Sequence, residues 1–219
     1  MTPPSAKADG LRAVLLDALG TLVELEPPWV HLAEALGDAR PEDLVTAVRA
    51  EMDYYREHAH EGRDADSLAA LRQRCAEILS WELDREIPVE TMLESIRFSA
   101  FEDARPALEK LRQAGLRLVC VSNWDISLTE VLDRCELADL IDAVVTSASS
   151  GFRKPDPAIF AAGLEAAGCS PDEAVHVGDT REEDIAGAEA AGIRGLLIDR
   201  TGGGDLQALT EIPAALEAG

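Results

Sequence analysis

The chain has 219 residues, of which 47% are apolar; this suits one globular domain with a sizeable insertion and excludes a disordered chain. A formal net charge of −22 and an isoelectric point near 4.4 argue against nucleic acids and anionic membranes as partners, because such a surface repels both. No apolar stretch is long enough to cross a bilayer, residues 1–5 lack a signal-peptide core, and the four cysteines lack metal-ligand spacing, so we expect a cytoplasmic protein.

Short apolar runs and amphipathic segments alternate through most of the chain. The sequence predicts strands at residues 12–17, 116–121, 141–146, 174–178 and 194–199. It predicts helices at residues 103–114, 125–135, 157–168 and 181–191, and a glycine-rich turn with a final helix within residues 201–219. This alternation is typical of an α/β fold in which a parallel, Rossmann-like sheet is sandwiched by helices.

Residues 22–100 interrupt the alternation. They read as helices throughout, at residues 28–36, 41–60, 65–83 and 89–100. A segment of this length is too large for a loop. We therefore expect a Rossmann-like catalytic core of residues 1–21 and 101–219, interrupted by a mainly α-helical (four-helix) domain of residues 22–100.

Functional side chains stand at or beyond the ends of several predicted strands. In chain order they are Asp17, Ser122 with Asn123, Lys154, Asp179 and Asp184. The carboxyl ends of parallel strands are where open α/β sheets bind ligands. Taken alone, Asp17 and Asp179 fit a turn or a helix cap equally well. Lys154 is more informative, because the chain has only three lysines against seventeen arginines.

These residues, in this order, resemble the four motifs of the haloacid dehalogenase (HAD) superfamily. The resemblance extends over residues 11–199 and favours the subclass with a helical cap inserted between the first and second motifs. It implies that Asp17 is the nucleophile, that Ser122 and Lys154 are the second and third motifs, and that residues 179–184 carry the acidic fourth motif.

The resemblance also implies a phosphohydrolase that forms an aspartyl-phosphate on a small phosphorylated metabolite. Mg²⁺ is the implied cofactor, because two anions must approach each other and Mg²⁺ prefers oxygen ligands. The implied metal ligands are the carboxylates of Asp17, Asp179 and Asp184 and the backbone carbonyl of Leu19.

The phosphate itself has three implied binding groups. The Ser122 hydroxyl and the Asn123 N–H would bind phosphoryl oxygens at a helix N-terminus. Lys154 would neutralise phosphate charge and hold Asp17 ionised.

Leu19 departs from the family pattern, which often places a proton-donating acid two residues after the nucleophile. Losing a positioned general acid–base typically costs about 10²–10⁴ in rate. A phosphohydrolase could take its acid from Glu24, Glu26 or Asp125, or could act on substrates whose leaving group needs little help.

Other interpretations follow from the same departure. A 2-haloacid dehalogenase-like hydrolase is one, although the fourth motif is intact here and residues 24–29 contain no arginine to bind halide. A weakly active or inactive phosphate-binding protein is another. Phosphonate cleavage by a cap lysine is excluded, because residues 22–100 contain no lysine.

Two residues within predicted strands are interpreted as structural. His176 alternates with apolar residues, so we expect a core or sheet-surface position. Cys120 lies in a strand-like run and is expected to be a buried thiol.

Overall fold

The computed structural model describes residues 10–37 and 39–217. The segment 1–5, the first part of the predicted core and the last two residues of the predicted final helix lie outside the described residues. Within the described ranges, no helix has the length and apolar character needed to cross a membrane.

The elements follow one another as a strand, a mainly helical segment, and then alternating strands and helices. The first part of the chain forms β1 (Ala13–Leu16), β2 (Val23–Leu25), α1 (Pro28–Leu36), α2 (Pro41–His58), α3 (Ala65–Glu82), α4 (Val89–Ser95) and β3 (Phe98–Ala100). The second part forms α5 (Ala104–Gln113), β4 (Arg117–Ser122), α6 (Leu128–Arg134), β5 (Ala143–Thr146), α7 (Ser147–Ser150) and α8 (Pro157–Ala167). The remainder forms β6 (Ala174–Gly178), a π-helix (Arg181–Ala186), α9 (Gly187–Ala190), β7 (Arg194–Leu197) and α10 (Ile212–Glu217).

A five-stranded parallel sheet forms the centre of the fold, in the order β5-β4-β1-β6-β7. Leu16 pairs with Cys120 on one side and with Val177 on the other. The carboxyl ends of β4, β1 and β6 therefore lie side by side. This architecture confirms the predicted α/β fold with a parallel, Rossmann-like sheet.

Apolar side chains cover both faces of the sheet, because successive strand residues point to opposite sides. Leu16 and Cys120 belong to one buried cluster, and Leu15 and Val119 belong to the other. Cys120 is fully buried, as predicted. Helices are needed on both faces to keep water from these two clusters.

The helices α1–α4 pack around a third cluster of their own, which includes Leu44, Leu71 and Met92. We call residues 28–95 the helical insert. Its helix α3 begins with a capping box, in which Asp64 accepts from the Ser67 N–H at 2.8 Å and Ser67 Oγ accepts from the Asp64 N–H at 3.0 Å.

The prediction of a helix over residues 89–100 is wrong at its end, because α4 stops at Ser95 and β3 follows. β3 pairs antiparallel with β2, with Val23 opposite Ala100. The segment that leaves the core, β2, and the segment that returns to it, β3, lie side by side. Their pairing satisfies the backbone hydrogen-bonding groups of both segments. Such a partner, distant in sequence, leaves no trace in local periodicity.

One helix start and the type of one helix also differ from the prediction. α6 begins at Leu128 and not at residue 125, because the Asp125 side chain accepts from the Ser127 N–H at 2.6 Å and makes a turn there. The segment after β6 opens as a π-helix at Arg181 before continuing as α9. Wide turns of this kind are rare and are frequently found at functional sites.

Candidate active site

Three adjacent strand ends supply the centre of the candidate site. Asp17 follows β1, and its N–H donates to the Val177 carbonyl at 2.9 Å, so the ladder continues to this residue. Ser122 ends β4 on one side, and Asp179 directly follows β6 on the other. Because the strands are parallel, all three residues lie at one edge of the sheet, at the carboxyl ends of the strands.

Lys154 joins two carboxylates at this edge. Its ammonium group donates to Asp17 Oδ1 and to Asp184 Oδ1, each at 2.5 Å. The Ser122 hydroxyl donates to the same Asp17 oxygen at 2.9 Å. Lys154 is only 2% exposed, so these ion pairs are shielded from bulk solvent and interact strongly.

His176 holds Asp184 from inside the sheet. Its Nε2 lies 2.9 Å from Asp184 Oδ1, and the Thr180 N–H donates to Asp184 Oδ2 at 3.0 Å. The ring is fully buried and packs edge-on against Phe160. The core position of His176 agrees with the prediction, but its contact with Asp184 was missed; the only signal was a histidine in an apolar strand eight residues before that acid.

The Asn123 side chain positions the lysine loop. Its Oδ1 accepts from the Lys154 N–H at 2.7 Å, and its Nδ2 donates to the Lys154 carbonyl at 3.1 Å and to Glu183 Oε2 at 3.0 Å. The amide therefore ties the loop after β4 to the loop that carries Lys154. Because the side chain is engaged in these contacts, the phosphate contact predicted for Asn123 would involve its backbone N–H.

Two glycines allow the acidic residues to approach the sheet edge. Gly20 has a φ of 87°, and a Cβ atom at this position would collide with the Asp179 carboxylate. A Cβ atom at Gly178 would collide with the side chain of Asp184. Only glycine accommodates these close approaches without displacing a carboxylate.

The pKa values of the cluster reflect three neighbouring carboxylates, two of which contact one buried ammonium group. Burial raises the pKa of Asp17 to about 7, against the opposing charge of Lys154. Burial also raises the pKa of Asp179, and the charge of Asp184 adds to that shift. Lys154, although buried, has a raised pKa because Asp17 and Asp184 stabilise its charge. The site therefore has an excess of negative charge that a cation would neutralise.

The donor set fits Mg²⁺. Asp17, Asp179 and Asp184 each offer a carboxylate oxygen, and the three oxygens lie within 4.8 Å of one another. Oxygens bound to one Mg²⁺ at about 2.0–2.1 Å would lie roughly 3–4 Å apart, so a small contraction brings the set together. Asp184 already accepts three hydrogen bonds, which leaves less capacity on this carboxylate than on Asp179.

A cavity of about 1030 Å³ opens over this cluster, between the helical insert and the sheet edge. Leu19, two residues after Asp17, lines this cavity. Its apolar side chain also packs partly against the apolar core. Of the three acids considered as substitutes, Glu26 and Asp125 line the cavity, whereas Glu24 is exposed on β2 and does not contribute to its wall.

Asp125 is held as a hydrogen-bond acceptor. It is 3% exposed, its Oδ1 accepts from Ser127 N–H, and its Oδ2 accepts from the Tyr55 hydroxyl at 2.8 Å. Both of its carboxylate oxygens are therefore already engaged with donors of the protein. Glu26 also lines the cavity and has one side-chain partner, His31 Nε2 at 2.9 Å.

The Tyr55–Asp125 hydrogen bond connects α2 of the helical insert to the loop after β4. Removing the hydroxyl in Tyr55→Phe leaves a buried carboxylate without one donor, so we expect unfolding to become easier by about 1–3 kcal/mol. Urea unfolding measures the change. Tyr54→Phe is the control, because the Tyr54 hydroxyl contacts the half-exposed guanidinium of Arg74. Equal losses in both variants would contradict the prediction.

Glu51, on α2, is another buried acid of the cavity wall and is 5% exposed. Burial raises its pKa above the ordinary value of 4.5, against the opposing effect of a hydrogen bond from the Cys75 thiol. A raised pKa in the folded protein means that the native state holds this proton to higher pH than the unfolded chain does. The stability contributed by the proton is therefore complete below pH 4.5 and is lost as pH rises through the folded pKa.

Glu51→Gln should remove this pH dependence. The stability of the variant relative to wild type should rise from about pH 4.5 upward and then level off, by about 1.4 kcal/mol for each unit by which the pKa is raised. Denaturant titrations in EDTA across this range test the expectation. Glu57→Gln, exposed on the same helix, should show no such rise. If the free energies of unfolding of Glu51→Gln and wild type differed by the same amount at every pH, the prediction would be contradicted.

Comparison with known proteins agrees with the fold and identifies the family. The family model for haloacid dehalogenase-like hydrolases matches residues 11–192. The chain therefore belongs to the haloacid dehalogenase-like hydrolase family, as its four motifs predicted.

Individual relatives extend the comparison. The chain is 35% identical over 130 residues to haloacid dehalogenase-like hydrolase domain-containing protein 3 of Danio rerio, covering 55% of this chain and 54% of that protein. It is 35% identical over 120 residues to phosphoserine phosphatase of Thermus thermophilus, covering 54% and 48%. The chain thus spans about half the length of these relatives. The crystal structure of a HAD phosphatase from Thermococcus onnurineus matches with a TM-score of 0.68 and 26% identity, over 94% of this chain and 98% of that one.

Proposed function

We propose that this protein is a Mg²⁺-dependent phosphohydrolase that acts on a small phosphorylated metabolite through an aspartyl-phosphate intermediate. One observation carries the proposal: the Asp17 carboxylate faces a cavity at a strand end, held by Lys154 and Ser122 beside two further carboxylates. The similarity to proteins named as phosphatases supports it.

In the first half-reaction a carboxylate oxygen of Asp17 attacks phosphorus. A new oxygen–phosphorus bond forms, the bond between phosphorus and the leaving oxygen breaks, and that oxygen departs with its electron pair. Lys154 and Ser122 hold Asp17 Oδ1, so Oδ2 is the freer oxygen for attack. Lys154, Ser122 and the Asn123 N–H would also stabilise the negative charge that develops on the phosphoryl oxygens.

In the second half-reaction water attacks the same phosphorus. The bond between Asp17 and phosphorus breaks, inorganic phosphate leaves, and the carboxylate is regenerated. Both half-reactions involve a proton, since the leaving oxygen gains one and the attacking water loses one. Leu19 transfers no proton, so the first step relies on a leaving oxygen that needs little protonation. Glu26, whose carboxylate lies 2.9 Å from His31 Nε2, is the candidate substitute acid on the cavity wall.

Mg²⁺, when bound, would neutralise the negative charge shared by the substrate phosphate and the carboxylates. Asp17 and Asp179 would be its main protein ligands. Asp184 and the backbone carbonyl of Leu19 would be the remaining protein ligands. Lys154 remains an independent cation in the site, so charge neutralisation does not depend on the metal alone.

We further propose that residues 22–100 act as a cap domain over a core of residues 1–21 and 101–219. The separate apolar cluster of the helical insert and the cavity beneath it support this division. All four cysteines are unpaired thiols, which supports the cytoplasmic location expected from the sequence.

Turnover on a panel of aryl, acyl and alkyl phosphates, with Mg²⁺ and with EDTA, tests the proposed function. We expect Mg²⁺-dependent release of phosphate from at least the aryl and acyl members. A panel of 2-haloacids, assayed for halide release, tests the dehalogenase alternative. Phosphate binding without turnover on any substrate would identify an inactive phosphate-binding protein and overturn the proposal.

Mg²⁺ should also stabilise the fold, because a ligand that binds only the native state raises the free energy of unfolding. At 100 times the dissociation constant the gain is about 2.7 kcal/mol. Thermal unfolding over a Mg²⁺ titration measures it. Asp179→Asn should lose most of the gain, and Asp66→Asn, exposed on α3, should keep it. A melting temperature that ignores millimolar Mg²⁺ would rule out this metal site.

A further inference from the structure

Two exposed arginines line the cavity on the side that β3 and α6 form. Arg97 immediately precedes β3, and Arg134 is the last residue of α6. The two positions are brought together by the residues that follow them, since the Cys135 thiol donates to the Phe98 carbonyl at 3.6 Å. The Arg97 Nε donates to the carbonyl of Glu94 at 3.2 Å, which fixes its stem and leaves the guanidinium charge without an anion.

A third guanidinium comes from the helical insert. Arg72 lies on α3 and is partly buried, between Leu71 and Cys75, which both belong to the apolar cluster of the insert and also line the cavity. Among residues 10–37 and 39–217, no carboxylate lies within 4.0 Å of the guanidinium nitrogens of Arg72, Arg97 or Arg134.

The other arginines of the cavity differ in this respect. Arg56 lies 3.6 Å from an Asp53 oxygen, and Arg153 lies 3.7 Å from a Glu183 oxygen. Their charges are already matched by acids of the protein. Arg72, Arg97 and Arg134 therefore form a distinct set, which we call the arginine triad.

We propose that the arginine triad binds a second anionic group of the substrate, a carboxylate or a second phosphate, while the phosphoryl group that is transferred lies at Asp17. This inference rests on the proposed phosphohydrolase function. Guanidinium groups form paired, charge-assisted hydrogen bonds to carboxylate and phosphate oxygens. The substrate class is thus a phosphate ester with two separated anionic groups.

The charge of the whole chain explains why such a triad is needed. At a net charge of −22, the protein repels a multiply charged anion at long range. The ammonium group of Lys154 is held beside Asp17 and Asp184, so it does not reach a distant anion. Unpaired guanidinium groups on the cavity wall supply local attraction that the rest of the surface does not.

Binding of non-hydrolysable phosphonates tests the inference without depending on turnover. One series consists of ω-phosphonocarboxylates of increasing chain length, a second of α,ω-bisphosphonates, and a third of alkylphosphonates of equal length as controls. Calorimetry in the presence of Mg²⁺ gives the affinities for wild type and for Arg72→Gln, Arg97→Gln and Arg134→Gln. Arg49→Gln is the matched control, because Arg49 is exposed on α2, has no carboxylate within 4.0 Å among the described residues, and lies outside the cavity wall.

In wild type, at one chain length, a probe with two anionic groups should bind about tenfold more tightly than its alkylphosphonate, or better. Each triad variant should reduce this advantage, the triple variant should remove it, and Arg49→Gln should keep it. The preferred series tells whether carboxylate or phosphate is the second group. Equal affinity for all three series in wild type, no binding of any series, or equal losses in Arg49→Gln would overturn the inference.

Assays of an aryl phosphate on the same preparations keep the two proposals apart. Turnover without discrimination among the phosphonates would refute the arginine triad alone. Discrimination without turnover would refute the hydrolytic function and retain the anion site. Melting temperatures of the variants confirm that each is folded.

Discussion

Asp17→Asn is expected to abolish phosphate-ester hydrolysis while the protein remains folded. The amide keeps the shape of the side chain but has no anionic oxygen to attack phosphorus. Loss of an enzyme's nucleophile typically lowers kcat by about 10⁴-fold or more. Folding should survive, because Lys154 keeps its ion pair with Asp184 when the charge at position 17 is removed. Initial rates with an aryl phosphate and Mg²⁺ measure the loss.

Two further variants sharpen this experiment. Asp17→Ala removes the side-chain oxygens altogether and should be as inactive as Asp17→Asn. Asp133→Asn, exposed on α6, should retain wild-type activity. Near-wild-type turnover by Asp17→Asn or Asp17→Ala would show that the aspartyl-phosphate mechanism is wrong.

Leu19 should make turnover depend steeply on the pKa of the leaving group. The leaving oxygen of an aryl or acyl phosphate departs without much protonation, whereas that of an alkyl phosphate needs a proton. Leu19→Asp should therefore raise the rate on alkyl phosphates, by part of the roughly 10²–10⁴ factor that general acid–base catalysis provides. The gain on aryl phosphates should be smaller. Rates of both proteins across a leaving-group series, with Mg²⁺ present, measure the effect.

Leu19→Asn is the matched control for this gain, because it has nearly the shape of aspartate and the same loss of core packing but transfers no proton. A gain in both variants would point to polarity and not to acid catalysis. A flat leaving-group dependence in wild type, with no gain in Leu19→Asp, would mean that another side chain already supplies the proton. Glu26→Gln would then be expected to make the dependence steep.

The sequence by itself determined the sheet and the acids at its edge. Apolar runs four to six residues long that alternate with amphipathic segments have few stable arrangements other than a covered parallel sheet. Asp17, Ser122 and Asp179 stand at the ends of such runs, so their position at one edge of the sheet follows from strand direction. The strand order β4-β1-β6, which the structure shows, then makes them neighbours. Even the departure at Leu19 is visible in the sequence, because it occupies a fixed distance from Asp17.

Tertiary structure alone decided the contacts between elements distant in the chain. The pairing of Val23–Leu25 with Phe98–Ala100, the buried contact of His176 with Asp184 and the hydrogen bond of Tyr55 to Asp125 all join residues whose own neighbours give no sign of the partner. Local periodicity reports only which face of an element is buried. Which polar side chains meet across that face depends on how whole helices and strands pack, and this packing is fixed by the complete core rather than by any one segment.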